Sequence, residues 1–184
     1  MTTLTARAVR DTQRARVYRA EDAWAARLDA ARLGAGLATV AGSALLLPAE
    51  RRFGTLGSAG DYAARVLRLP AAVARWGVIT APVLRLRAGA GKAHWEPPGV
   101  IALPVPVHGE PWALRETVLL HELAHHLVHH AGPRAGSPPG RAEPAHGPGF
   151  PAALLALVAI VLGEEAALAL RVAYGDERVE VGTL

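Results

Sequence analysis

His121-Glu122-Leu123-Ala124-His125 lies inside an apolar, helix-forming stretch, 112–130, and its reading decides the fold. Two histidines four apart fall on one helix face, roughly 6 Å from each other, so both imidazoles reach a single metal ion. Glu122, directly after the first histidine, is placed to touch a water on that metal. Together they form the working part expected of a zinc hydrolase. Around the motif, Leu120, Leu123 and Leu127 recur at helical spacing and form a buried stripe, with Val118, His121 and His125 on an adjoining face. Pro111 suits the first turn of this helix, and Gly132-Pro133 ends it.

The chain has 184 residues, 51% of them hydrophobic, which suits one folded domain spanning 1–184 and excludes a disordered chain. There is no cysteine, so a disulfide scaffold and a thiolate zinc site are both excluded, and any metal must be held by His, Asp or Glu. The net charge of +4 is carried almost wholly by scattered arginines, with Lys92 the one lysine, and reads as an ordinary solvated surface. Residues 1–19 are polar and Arg-rich without an apolar signal region. The longest apolar run, 152–162, is too short to span a bilayer. A cytoplasmic protein with no membrane partner is the expectation.

Residues 1–33 read as an N-terminal basic region, helical over 7–33, with Val17, Trp24, Leu28 and Ala31 inward and Gly34 as the stop. Its Arg7, Arg10, Arg14, Arg16 and Arg19 are either a nucleic-acid footprint or a solvated face partnered by Asp11, Glu21 and Asp22; the second reading is preferred. Part of the apolar run 37–47 is expected to form a strand. Ser58 is the expected cap of a helix to about 69, and 71–76 a further short helix. The alternation in 83–87 predicts a strand, with a Gly/Ala turn at 88–91 and shorter strands at 92–95 and 100–103. A Gly/Pro-rich loop covers 131–151. Helices follow at 152–162 and 164–174, separated by Gly163 and ended by Gly175, and 179–181 closes as a strand. The fold class is α+β: a small mixed twisted sheet, a metal-binding helix beneath it, and flanking helices.

A catalytic zinc takes three protein ligands and leaves a fourth position open. His129 continues the face of His121 and His125 but lies a further turn away. The metzincin spacing needs glycine at 128 and histidine at 131, where this chain has Val128 and Ala131. His146, Glu143, Glu164 and Glu165 remain as candidates. His146 is the first choice because its loop can fold back across the helix, and Glu143 is the main competitor.

H-E-L-A-H followed by a loop and His146-Gly147-Pro148-Gly149-Phe150 resembles the SprT-like and related minimal zincin metallopeptidases. The opening Arg10-Asp11-Thr12-Gln13-Arg14 through Glu21 resembles the start of a small actinobacterial family of metallohydrolases with the same motif, and that likeness runs from 10 to about 181. The resemblance implies a zincin-like fold, Zn2+ as cofactor, a histidine after the active-site helix as third ligand, and a peptide or protein substrate. The cysteine ribbon of the SprT-like proteins has no counterpart here.

Glu122 is the expected general base, passing a proton to the leaving amine. Arg115, His94, His126 and Tyr174 are candidate electrophiles, and Glu116 or Glu164 candidate acceptors for a ligand histidine's second N–H. Strands 92–95 and 100–103 are the candidate substrate-binding edge, and Trp95 and Trp112 candidate pocket walls. The competing expectation is a non-catalytic metal-binding or nucleic-acid-associated protein that uses the same shell.

Overall fold

The computed structural model describes residues 10–88, 91–104, 112–132 and 143–183. Outside them fall Arg7, the middle of the 88–91 turn, Pro111, the side chain of Trp112 and residues 133–142 of the 131–151 loop. Helix α1 (Arg14–Leu33) buries Val17, Ala20, Trp24, Leu28 and Ala31, a stripe spaced by threes and fours. It starts later than the expected 7–33. Gly34 ends it by returning its N–H to the carbonyls of Ala30 and Ala31.

The apolar run 37–47 is a hairpin and not one strand. Strands β1 (Leu37–Val40) and β2 (Ser43–Leu46) pair antiparallel. Ala41 and Gly42 between them both have positive φ, 47° and 82°, as a two-residue turn matched to strand twist requires. Helix α2 (Leu56–Leu67) is capped by Thr55, with Ser58 as the third residue of a reciprocal capping box, so the cap lies three residues earlier than expected. Proline opens the short α3 (Pro70–Trp76).

Strands β3 (Val83–Arg87), β4 (His94–Glu96) and β5 (Val100–Pro104) form a mixed sheet in the order β3-β5-β4. β5 is central, parallel to β3 and antiparallel to β4, with Ile101, Ala102 and Leu103 buried. It therefore cannot offer an edge to a substrate. β4 can, and it lies against the motif helix α4 (Glu116–Ala131). Trp95 pins the two together by donating its Nε1–H to His126 Nδ1 at 3.1 Å.

The start of α4 is fixed by the segment before α2. Phe53 N–H donates to Leu114 O, and Glu116 N–H to Arg51 O. Arg115 supplies no side-chain cap, so the orphan N–H groups of the first turn need a partner from elsewhere. Buried Glu50 provides it, accepting from Thr117 N at 3.1 Å and Thr117 Oγ1 at 2.5 Å, while Arg115 Nε donates to the same carboxylate at 2.8 Å.

Helix α5 (Gly149–Leu162) is apolar almost all round and forms the centre of the core. Gly163, at φ 95°, turns the chain into α6 (Glu164–Asp176), which packs on both α5 and α1. Trp24 Nε1–H donates to Ala166 O across the α1–α6 contact. Gly175 does not stop α6, because glycine is tolerated in the last turn, and 179–181 is not a strand. No helix among the described residues is long and apolar enough to cross a membrane.

Glu50→Ala removes the cap of α4 and leaves the part-buried Arg115 guanidinium with Asp29 as its remaining carboxylate partner, and is expected to cost about 2 kcal/mol. Glu50→Gln keeps an oxygen for Thr117 and should cost less. Urea unfolding, read as the shift in midpoint at unchanged slope, checks both.

Candidate metal centre

The structure brings together His121, His125 and His146, the three histidines expected as ligands. One ring nitrogen from each lies within 4.8 Å of the others. The first two come from one face of α4, as the i, i+4 spacing requires. The third comes from the turn before α5. Here Glu143 folds against Gly147, where a Cβ would stand 2.5 Å from Glu143 Cγ, so glycine lets the turn close.

His121 Nε2 and His125 Nε2 are 3.2 Å apart. Two nitrogens each about 2 Å from one tetrahedral ion lie about 3.3 Å apart, so the spacing suits a shared metal. His146 Nε2 is buried and has no hydrogen-bond partner, and neither has Glu122 Oε2. Both residues line one cavity, where two orphaned polar atoms are costly without a ligand, and an imidazole nitrogen and a carboxylate on one cavity wall suit a metal and its water.

The ring nitrogens facing away from the cluster are held by carboxylates. Glu21 Oε2 lies 2.6 Å from His121 Nδ1, and Asp11 Oδ2 lies 2.7 Å from His146 Nδ1. Each bond fixes a tautomer with the other nitrogen free to bind metal. Tyr174 donates to the second oxygen of Glu21 at 3.1 Å. Tyr18 stacks on His121 at 5.4 Å and tilts against His146 at 5.2 Å. Phe150 packs on all three imidazole rings, at 4.3 to 4.9 Å.

Electrostatics follow from this packing. Burial, reinforced by His121 and His146, pushes His125 well below the usual imidazole range. Burial also lowers His146, outweighing the opposing pull of Asp11. Burial acts to lower His121 as well, but Glu21 and then Glu122 overcome it, and the ring's pKa is raised. Burial raises Glu122 above the ordinary carboxylate value, which suits a group that accepts and returns a proton.

The other candidates are engaged elsewhere. Glu143 Oε1 accepts Gly149 N–H at 2.8 Å and starts α5. Glu165 holds Leu46 N–H, and Glu164 lines a separate cavity with Arg75 and Arg171. Glu116 is buried against Arg51 and the Tyr62 hydroxyl, so it is not a histidine's acceptor. Tyr174 serves Glu21, and His126 is held between Trp95 and Thr80 O, with burial lowering its pKa. Arg115 is paired with Glu50 and Asp29. Of the four candidate electrophiles, His94 alone lines the cavity above the histidines, where it also contacts Glu96 at 2.8 Å.

That cavity, about 640 Å³, is open and is walled by Trp95, Pro97, Val128 and Phe150. A second, of about 320 Å³, adjoins it behind Tyr18 and Glu122 and is lined by Lys92, Trp24 and Val118.

Asp11, Tyr18 and Glu21 are the site residues that sequence reasoning missed, because both acids read locally as partners for neighbouring arginines. One signal was available for Glu21. It lies four residues after Val17 and three before Trp24, at the border of the buried stripe and not opposite it. Three arginines of α1 turn instead to the end of α6 and the residues just after it: Arg16 donates to Arg178 O, Arg19 pairs with Glu177, and Arg27 with Asp176.

Compared with known proteins, the chain matches no family model, no curated protein and no solved structure. The case for function therefore rests on the geometry of this site.

Proposed function

We propose that this protein is a zinc-dependent metallohydrolase of zincin type, most simply a metallopeptidase. The observation that carries the reading is the convergence of three imidazoles, two of them braced by carboxylates, beside the buried Glu122 carboxylate on the wall of an open cavity. His121, His125 and His146 would hold the ion. Zinc supplies Lewis acidity, which acidifies a water and polarises a carbonyl.

The chain's own residues supply the rest. Glu122 Oε2, which has no protein partner, accepts the proton of the attacking water and delivers it to the leaving amine. Glu21 and Asp11 keep the two ligand rings oriented while charge develops. Trp95, Pro97, Val128 and Phe150 give the cleft apolar walls that suit a peptide side chain. The free edge of β4 runs along α4, where an extended peptide can add by backbone hydrogen bonds.

Two measurements test this reading. Elemental mass spectrometry should find about one zinc per chain in the wild type and in Glu143→Gln. His146→Ala should bind it at least ~100-fold more weakly, beyond the loss typical of an outer partner. Equal zinc in His146→Ala would remove His146 from the ligand set. Glu122→Gln should retain zinc and lose about 10²–10⁴ in kcat/KM on any peptide the wild type cleaves. Full activity in that variant would sink Glu122 as the base.

A further inference from the structure

Two ligand histidines are aimed by the rigid helix that carries them, but His146 comes from a turn. Its ring direction depends on what holds the turn. Asp11 bonds its ring and its backbone N–H. A second residue of the same segment, Gln13, holds its carbonyl.

Gln13 stands at the N-cap position of α1 yet makes no capping bond with its side chain. It is 5% exposed. Its Nε2 donates to His146 O at 2.6 Å and to Glu180 O at 3.2 Å, and its Oε1 accepts Glu180 N–H at 3.0 Å. Three of the four hydrogen bonds open to a carboxamide are thus in use, none of them for the helix. The same turn is tied a second time, since Gly182 N–H donates to Pro148 O at 2.8 Å. Residues 179–182 form no helix or strand, and these bonds tie Glu180 and Gly182 of that segment to Gln13 and to the turn that bears His146.

We propose that Gln13 is a positioning residue for His146, and that through it the docking of segment 179–182 is coupled to metal binding. The proposal rests on the metal-centre reading above. Without Gln13 the turn keeps freedom that a bound metal must then remove, and that ordering cost weakens the affinity. The coupling is reciprocal: whatever the metal gains from the docked segment, the segment gains from the metal.

The test uses the full chain, with zinc as the probe. Competition against a chromophoric chelator should show zinc bound 10–100-fold more weakly by Gln13→Ala and by the isosteric Gln13→Glu, the range for a ligand's supporting partner. A merely structural role would lower the melting temperature of the metal-free protein and leave the zinc affinity of the folded protein unchanged. Hydrogen exchange on the wild type needs no variant: zinc should slow exchange of the Glu180 and Gly182 amides. Equal zinc affinity in wild type and both variants, or exchange at 180 and 182 indifferent to zinc, overturns the proposal. If the wild type takes up no zinc, the metal reading fails separately. The decision then rests on the His146 ring nitrogens by NMR in metal-free protein. A change of tautomer or ordering in Gln13→Glu supports positioning, and an unchanged ring overturns it.

Discussion

The pairing of Asp11 with His146 and of Glu21 with His121 is the constraint on which the site depends. Two histidines on a helix face can reach a metal, but an imidazole rotates freely and has two nitrogens to offer. A carboxylate on the outward nitrogen removes both freedoms. Burying those acids is unfavourable unless their oxygens are bonded. The structure meets that demand with Tyr174 on Glu21 and with Arg14 N–H on Asp11. Tyr174 belongs to α6, so the packing of α6 on α1, joined by Trp24 and Ala166, sets the geometry of a histidine cluster carried by other elements.

What could be read from sequence was what is local. The motif helix, the inward stripe of α1 and the strand at 83–87 follow from periodicities within one element. The hairpin at 37–46 was hidden because its turn is Ala41-Gly42, in which alanine takes a left-handed backbone that its type does not advertise. The α2 cap was displaced because Thr55 and Ser58 are both capping residues, and the reciprocal box assigns them opposite ends of one exchange. The Val-rich segment 179–181 reads as a strand, but Val179 N–H turns back to Tyr174 O and the Glu180 N–H and C=O bond the Gln13 side chain in place of a neighbouring strand.

The histidine cluster was legible and its support was not, for a reason of distance along the chain. His121 and His125 are four residues apart, whereas Glu21 and His121 are separated by 100 positions and Asp11 and His146 by 135. Local rules pair an acid with the arginine nearest to it. Here the arginines go to Glu177, Asp176 and the Arg178 carbonyl, and the acids are left for the histidines. Glu116 shows the converse: an acid beside the motif, plausible as a histidine's acceptor, is taken by Arg51 from the segment that fixes the helix start and by Tyr62 of α2.

The motif Gly147-Pro148-Gly149-Phe150 makes a different kind of contribution. The glycine admits the Glu143 side chain, Glu143 then accepts the Gly149 N–H at the start of α5, and the helix so begun places Phe150 under all three imidazoles. A phenyl ring there offers no hydrogen bond. It keeps water from one side of the histidines, and in that apolar setting neutral imidazole is favoured over imidazolium, as the lowered His125 and His146 show. Neutral imidazole is the form that binds a metal. The turn therefore does two things at once: it brings His146 to the two helix histidines, and it sets apolar surroundings for the cluster.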